Sequence, residues 1–175
     1  MKSKHAYYID KWAGFGDWVE NRKQDWANLQ YLSKHKYHVL RAGLKLDLPF
    51  LQLALHDYNK FYPSVWIPWR EWSYSKKVET PLDAKLFQDW RKAVQKHYES
   101  ESHAHHYHKM GVPVEKVPIE YRIERLADHY GVYRANFKGP GKPMTLTQFW
   151  MNRRERSPID PIAKSLIDQK LIYNV

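Results

Sequence analysis

The 175-residue chain has no cysteine. That excludes disulfides and thiolate metal sites, so any bound metal must be held by histidine and carboxylate. The same absence fits a reducing cytoplasm, the expected location. No apolar run approaches the ~20 residues needed to cross a membrane. The opening stretch from Met1 to Tyr8 lacks the apolar segment of a secretory leader, so no membrane partner is expected. Glycine is scarce at seven residues. Gly14 and Gly16 sit two apart, but neither a dinucleotide fingerprint nor a P-loop lysine follows them. Internal repeats, coiled-coil heptads and long alternating strand patterns are also missing, so the expected fold class is all-α.

Aromatic residues, by contrast, are plentiful at 15%, with eight Trp and thirteen Tyr. Rings of that number fill much of a core or line a pocket. Acidic side chains are outnumbered, 19 against 29 Lys and Arg, which gives a net charge of +10 and favours an anionic partner. The basic residues are spread along the chain, so charge alone does not separate a nucleotide from a nucleic acid or another phosphorylated molecule. At this length one domain is the default.

The stretch around which the rest is organised is Leu55-His56-Asp57-Tyr58-Asn59-Lys60-Phe61. An imidazole next to a carboxylate suits divalent ions such as Zn, Mn, Fe, Co or Ni. On a helix, Lys60 shares a face with both His56 and Asp57. The plainer alternative is an Asp57–Lys60 surface ion pair beside an incidental histidine. Further donors along the chain favour the metal.

In chain order, residues 1–20 read as an irregular aromatic arm and Asn21 to Lys45 as a helix carrying His35 and His38 one turn apart. Asp47-Leu48-Pro49 reads as the start of a second helix that bears the His-Asp pair and ends near Tyr62-Pro63. Trp66, Trp69 and Trp72 form a stripe, suited to core packing or to stacking on a base. Thr80-Pro81-Leu82-Asp83 opens a helix whose face ends at His97. Five histidines follow within twelve residues: His97, His103, His105, His106 and His108. Of these, His97 and His105 or His106 are the candidate ligands. Pro118 opens the next helix, with Glu124 and Asp128 one turn apart and Gly131 in C-cap position. After the Gly/Pro loop from Asn136 to Thr145 come C-terminal helices over 145–175.

The order His35, His56-Asp57, the His97–His106 cluster and then Asp128 resembles the HD superfamily of metal-dependent phosphohydrolases. The later histidines are similar to those of its binuclear branch. More closely, Lys34-His35-Lys36, Leu55-His56-Asp57-x-x-Lys60-Phe61-x-Pro63 and Pro118-x-x-Tyr121 with Glu124-x-x-x-Asp128 resemble a family of uncharacterised bacterial and bacteriophage proteins. The location would be the host cytoplasm for a phage-encoded chain.

This resemblance implies an HD-domain-like helical bundle over 1–175 with its metal core in 21–131. It implies a first metal held by His35, His56, Asp57 and Asp128, and a second ion or substrate phosphate at His97 and His105 or His106. The cofactor would be one or two divalent ions, among them Mn, Co, Ni, Fe, Zn and Mg. Lys60 would contact phosphate, and Glu124 would act as general acid/base or orient a ligand. Arg41, Arg122 and Arg125 are further substrate-binding candidates. The leading expectation is hydrolysis of a nucleotide or another small phosphate ester. Two alternatives stand beside it: a di-iron oxygenase, and a non-enzymatic module that binds nucleic acid or protein and carries a structural metal. Homo-oligomerisation is open.

Overall fold

The first long helix sets the frame of a computed structural model, which describes residues 4–77, 84–100 and 111–173. Side chains are described for 21–73, 84–99 and 111–173. The described residues form seven α-helices with short 3-10 turns and no strand, so the chain is all-α. The helices are α1 (Lys4–Lys45), α2 (Phe50–Leu55), α3 (Pro63–Lys77), α4 (Ala84–Ser100), α5 (Ile119–Asn136), α6 (Leu146–Arg153) and α7 (Pro161–Asp168). None of them is long and apolar enough to cross a membrane. The segment read as an irregular arm is instead helical from Lys4 onward, continuous with α1.

α1 runs antiparallel to α5, and one of its faces changes character along its length. Gln24, Asn28, Tyr31, His35, Val39 and Ala42 recur every three or four residues, so they share a stripe. Val39 and Ala42 at its C-terminal end are fully buried in the apolar core. That core joins α1 and α2 to Leu126, Ala127 and Tyr130 of α5, Phe149 and Trp150 of α6, and Ala163 and Ile167 of α7. The polar end of the stripe faces elsewhere, as described below.

Gly131 does not cap α5, which continues to Asn136. It sits where α5 crosses α1. A Cβ there would come 2.5 Å from Val39 Cγ2 and 3.1 Å from the His35 carbonyl oxygen. The absence of a side chain thus sets the approach of the two helices, and with it the separation of His35 from Asp128.

Asp47 does not cap α2. It terminates α1 instead, in left-handed backbone (φ 56°). The amide N–H groups of Leu48 and Asp47 donate to the carbonyls of Gly43 (3.0 Å) and Leu44 (3.3 Å), the paired bonds of a Schellman ending. α2 then starts after Pro49 and stops at Leu55, much earlier than the sequence suggests. Thr145 and Gln148 form a reciprocal capping box on α6, and Asp160 caps α7 with Pro161 in its first turn. The expected helix start at 80–83 lies outside the described residues.

The three tryptophans of α3 diverge in role. Trp72 is buried and stacks on Trp90 of α4, with centroids 4.7 Å apart. Trp66 donates to Asp25 (2.8 Å) and stacks on Phe61. Trp69 turns toward the histidines. Core packing therefore describes Trp72 alone.

Gly131→Val is expected to lower unfolding free energy by about 2 kcal/mol, because overpacking a rigid helix crossing outweighs any propensity gain. Urea denaturation measures it; unchanged stability would mean that the crossing can open freely.

Candidate metal centre

Of the seven buried polar or charged residues among those described, six form one group: His35, His56, Asp57, Asn59, His97 and Glu124. Buried polar groups survive only when they satisfy one another. Here they are gathered from α1, the α2–α3 turn, α4 and α5.

The turn after α2 brings the His-Asp pair together. On a helix, adjacent side chains point ~100° apart. His56 instead leaves the helix in extended backbone, and Asp57 takes the left-handed conformation (φ 60°) that Asp tolerates better than most residues. Lys36 of α1 fixes this break by donating to the carbonyls of Ala54 (3.1 Å) and His56. Backbone strain held by surrounding bonds in this way marks many functional turns.

Nitrogen and oxygen donors then converge. His35 Nε2 lies 3.2 Å from His56 Nε2, 3.0 Å from Asp57 Oδ2 and 3.3 Å from Asp128 Oδ1. His56 Nε2 lies 3.5 Å from each of the same two oxygens. Donors held about 2.1 Å from one ion stand roughly 3.0 Å apart in an octahedron and 3.4 Å apart in a tetrahedron. The observed spacings fall at those edges. His35, His56 and Asp128 present ligand atoms that all lie within 4.8 Å of one another, so this buried group could hold a metal ion.

The surroundings fit the same purpose. His56 Nδ1 meets Glu124 Oε1 at 2.8 Å, and Gln52 donates to the other Glu124 oxygen. A proton held on Nδ1 leaves the Nε2 lone pair facing the cluster, the usual carboxylate–histidine–metal relay. His97 Nε2 approaches Asp57 Oδ1 at 3.4 Å from the opposite side, while its Nδ1 is bonded to Asn59 Oδ1. Lys60 pairs with Asp57 Oδ2 at 2.7 Å and rests over the Trp69 ring, 4.9 Å from its centroid. Tyr31 stacks on His35.

The electrostatics follow from burial and mutual compensation. Burial would depress His56, but Asp57, Asp128 and Glu124 overcome it and push the imidazole up to about 10. Burial would raise Asp57, yet Lys60, His56 and His35 hold its carboxyl well below the usual range. Asp128 is likewise held well down against burial, by His35 and His56.

The expected ligands His35, His56, Asp57 and Asp128 are therefore brought together, and His97 joins them. His105 and His106 lie outside the described residues, as do His103 and His108. Glu124 sits behind the His56 ring, on the nitrogen turned away from the other donors. It is placed to orient that ring. Three of the expected substrate cations are elsewhere. Arg41 donates to Tyr37 on the exposed side of α1, Arg122 pairs with Asp160 at 3.0 Å, and Arg125 reaches the Pro158 carbonyl. His38 stands beside Tyr37 and is not a member of the donor group.

Sequence inspection assigns no role to Lys36, Gln52, Asn59 and Tyr31, and gives Trp69 only as part of the tryptophan stripe. Helical spacing marks two of them: Gln52 is four residues before His56, and Tyr31 four before His35.

A cavity of ≈410 Å³ opens beside the cluster. Tyr31 and Trp69 line it at the cluster end, Asn28 and Gln24 continue it along α1, and Lys34 and Lys138 stand at its edge.

Asp57→Ala is expected to abolish metal uptake, and Glu124→Gln to weaken it about 10–100-fold; elemental analysis after dialysis measures both. Metal content unchanged in the Asp57 variant would reject the centre. The pH dependence has a definite sign. His56 gains protons on folding, so its stabilising contribution is full below about 6.5 and disappears as pH rises through about 10. Asp57 and Asp128 contribute above about 3.9 and lose that contribution in acid. An ion must displace the His56 proton, so apparent affinity should rise about tenfold per pH unit between pH 7 and 9. Calorimetry in buffers of different ionisation enthalpy would detect the released proton, and pH-independent affinity would contradict the account.

No curated protein and no solved structure matches this chain. One family model matches residues 24–171, a span that includes every described donor of the cluster and most of the cavity wall. The chain thus belongs to a family of unknown function, DUF5662.

Proposed function

We propose that the protein is a metal-dependent phosphohydrolase acting on a nucleotide or another small phosphate ester. The observation that carries this reading is the convergence of two imidazoles and two carboxylates on one buried point, beside a cavity lined by no acidic side chain among the described residues. The ligand order His35, His56-Asp57, Asp128 is also that of the HD superfamily, which this chain resembles.

A divalent ion bound at this point supplies water acidified from pKa 15.7 toward ~7 and a Lewis acid for a phosphoryl oxygen. The chain's own residues do the rest. Glu124 and Gln52 fix the His56 ring so that Nε2 stays directed at the cluster. Lys60, with its side chain 14% exposed, places a cation between Asp57 and the Trp69 wall of the cavity. From there it can offset negative charge building on a phosphoryl group. Tyr31 and Trp69 shield the donors from bulk water on the cavity side.

The test is hydrolysis of a panel of nucleoside mono-, di- and triphosphates, sugar phosphates and p-nitrophenyl phosphate after loading with Mn, Co, Ni, Fe, Zn or Mg. At least one substrate should turn over, and Asp128→Asn should reduce that turnover about a thousandfold or more. A metal-loaded protein inert toward every phosphate ester would overturn the proposal. Lys60→Ala should raise the Michaelis constant more than it lowers metal occupancy; the reverse order would make Lys60 structural.

A further inference from the structure

One little-exposed polar side chain of the cavity wall has no partner among the described residues. Asn28 is 7% exposed and lines the cavity, yet its amide makes no hydrogen bond among the described residues. Among the described residues it is the one buried polar side chain outside the donor cluster. Its polar atoms are not among the fully enclosed unpaired ones, so they open on the cavity, where a bound molecule can reach them. Its side chain offers both N–H donors and a carbonyl acceptor.

The rest of the cavity narrows the chemistry of that partner. Two aromatic rings, Tyr31 and Trp69, form the wall next to the donors, which suits a flat ring. Lys34 and Lys138 make no ion pair among the described residues, whereas Arg70 is already bound to Asp25 (3.0 Å) and Glu71 (3.3 Å). Among the described residues, no carboxylate lines the space. The lining residues of α1 run from Gln24 to Lys34, roughly 15 Å at the helical rise. The volume of ≈410 Å³ falls in the range of small-molecule sites, about 300–1,000 Å³. An anionic ligand that is planar at one end and hydrogen-bonds along an edge meets these conditions.

We infer that this cavity binds the nucleoside part of a nucleoside phosphate, with Asn28 pairing to the edge of the base and Tyr31 and Trp69 flanking its ring. The phosphate then points toward the donor cluster, and Lys34 and Lys138 attract its charge at the edge. This orientation rests on the phosphohydrolase reading. Recognition of the base by Asn28 does not, and the two can fail separately.

The test is binding of adenosine, guanosine, cytidine and uridine 5′-monophosphates, with ribose 5-phosphate as the baseless control. Titration calorimetry is run on the full chain as purified and again with EDTA. At least one nucleotide should bind about tenfold or more tighter than ribose 5-phosphate. Asn28→Ala should reduce that ratio to about threefold or less while leaving ribose 5-phosphate affinity unchanged. The near-isosteric Asn28→Asp, which cannot donate, should lose the preference too and guards against a packing artefact. Lys138→Ala, on the surface, should weaken all five ligands alike without altering the melting temperature. Equal affinity for all five ligands, or a preference untouched by both Asn28 variants, would overturn the inference. An Asn28-dependent preference in a protein that hydrolyses nothing would uphold base recognition and remove the hydrolase reading. Hydrolysis that ignores the base and Asn28 would do the reverse.

Discussion

The structure depends on the neutralisation of one buried carboxylate. Asp57 is 1% exposed, and burial of an unpaired charge costs several kcal/mol. Its oxygens are met by His35 from α1, Lys60 and His56 from its own turn, and His97 from α4. His35 and His97 can be supplied only once the helices are assembled, so local backbone strain and long-range docking are parts of one constraint. Asp128 and Glu124 add two more carboxyl groups to the same interior. Three carboxylates face Lys60 and the His56 imidazolium, which leaves negative charge in excess. When the histidines ligate as neutral imidazoles, a divalent cation together with Lys60 balances three carboxylates. The charge count, like the spacing, thus suits an ion of that valence.

Much of this was legible in the sequence because it followed local rules. All-helical class came from the sequence pattern, and the start of α5 at Pro118 came from helix-start chemistry. The donors could be named because histidine and aspartate recurred in an order with few other uses. What escaped was decided by a partner helix. Gly131 ends no helix; its role is set by Val39 and the His35 carbonyl on α1, which no window around position 131 contains. Asp47 stood between two helices and could have served either. The Schellman bonds from Leu48 and Asp47 assign it to the first. The break at Asp57 was hidden because His56 and Asp57 were read as continuing the helical run of α2. The structure resolves the resulting 100° divergence by leaving the helix.

The substrate cations show the same distinction in another form. Arg41 and Arg122 lie six residues from His35 and Asp128, a rotation of roughly 120° away from the ligand face. Proximity in sequence suggested them; helical phase opposes them, and Arg122 is in fact used by Asp160. Asn28, Tyr31 and His35 are spaced by three and four, so they share one face with the ligand. Phase is the better guide whenever a ligand sits on a long, straight helix.

The geometry of the α1–α5 crossing then explains why a cavity lies where it does. Antiparallel helices in closest contact at Gly131 diverge on either side of that point. Toward the C-terminal end of α1 the gap is filled by Val39, Ala42, Leu126 and Ala127, all buried. Toward the other end the same stripe carries Asn28 and Gln24, which are too polar to close over an apolar filling, and Ala135 and Asn136 of α5 stand opposite them with Trp69 of α3. The gap is therefore left open beside the donors. A side chain at position 131 would widen the crossing and disturb the metal centre and the cavity together, so one glycine governs both the donor spacing and the space in which a substrate would lie.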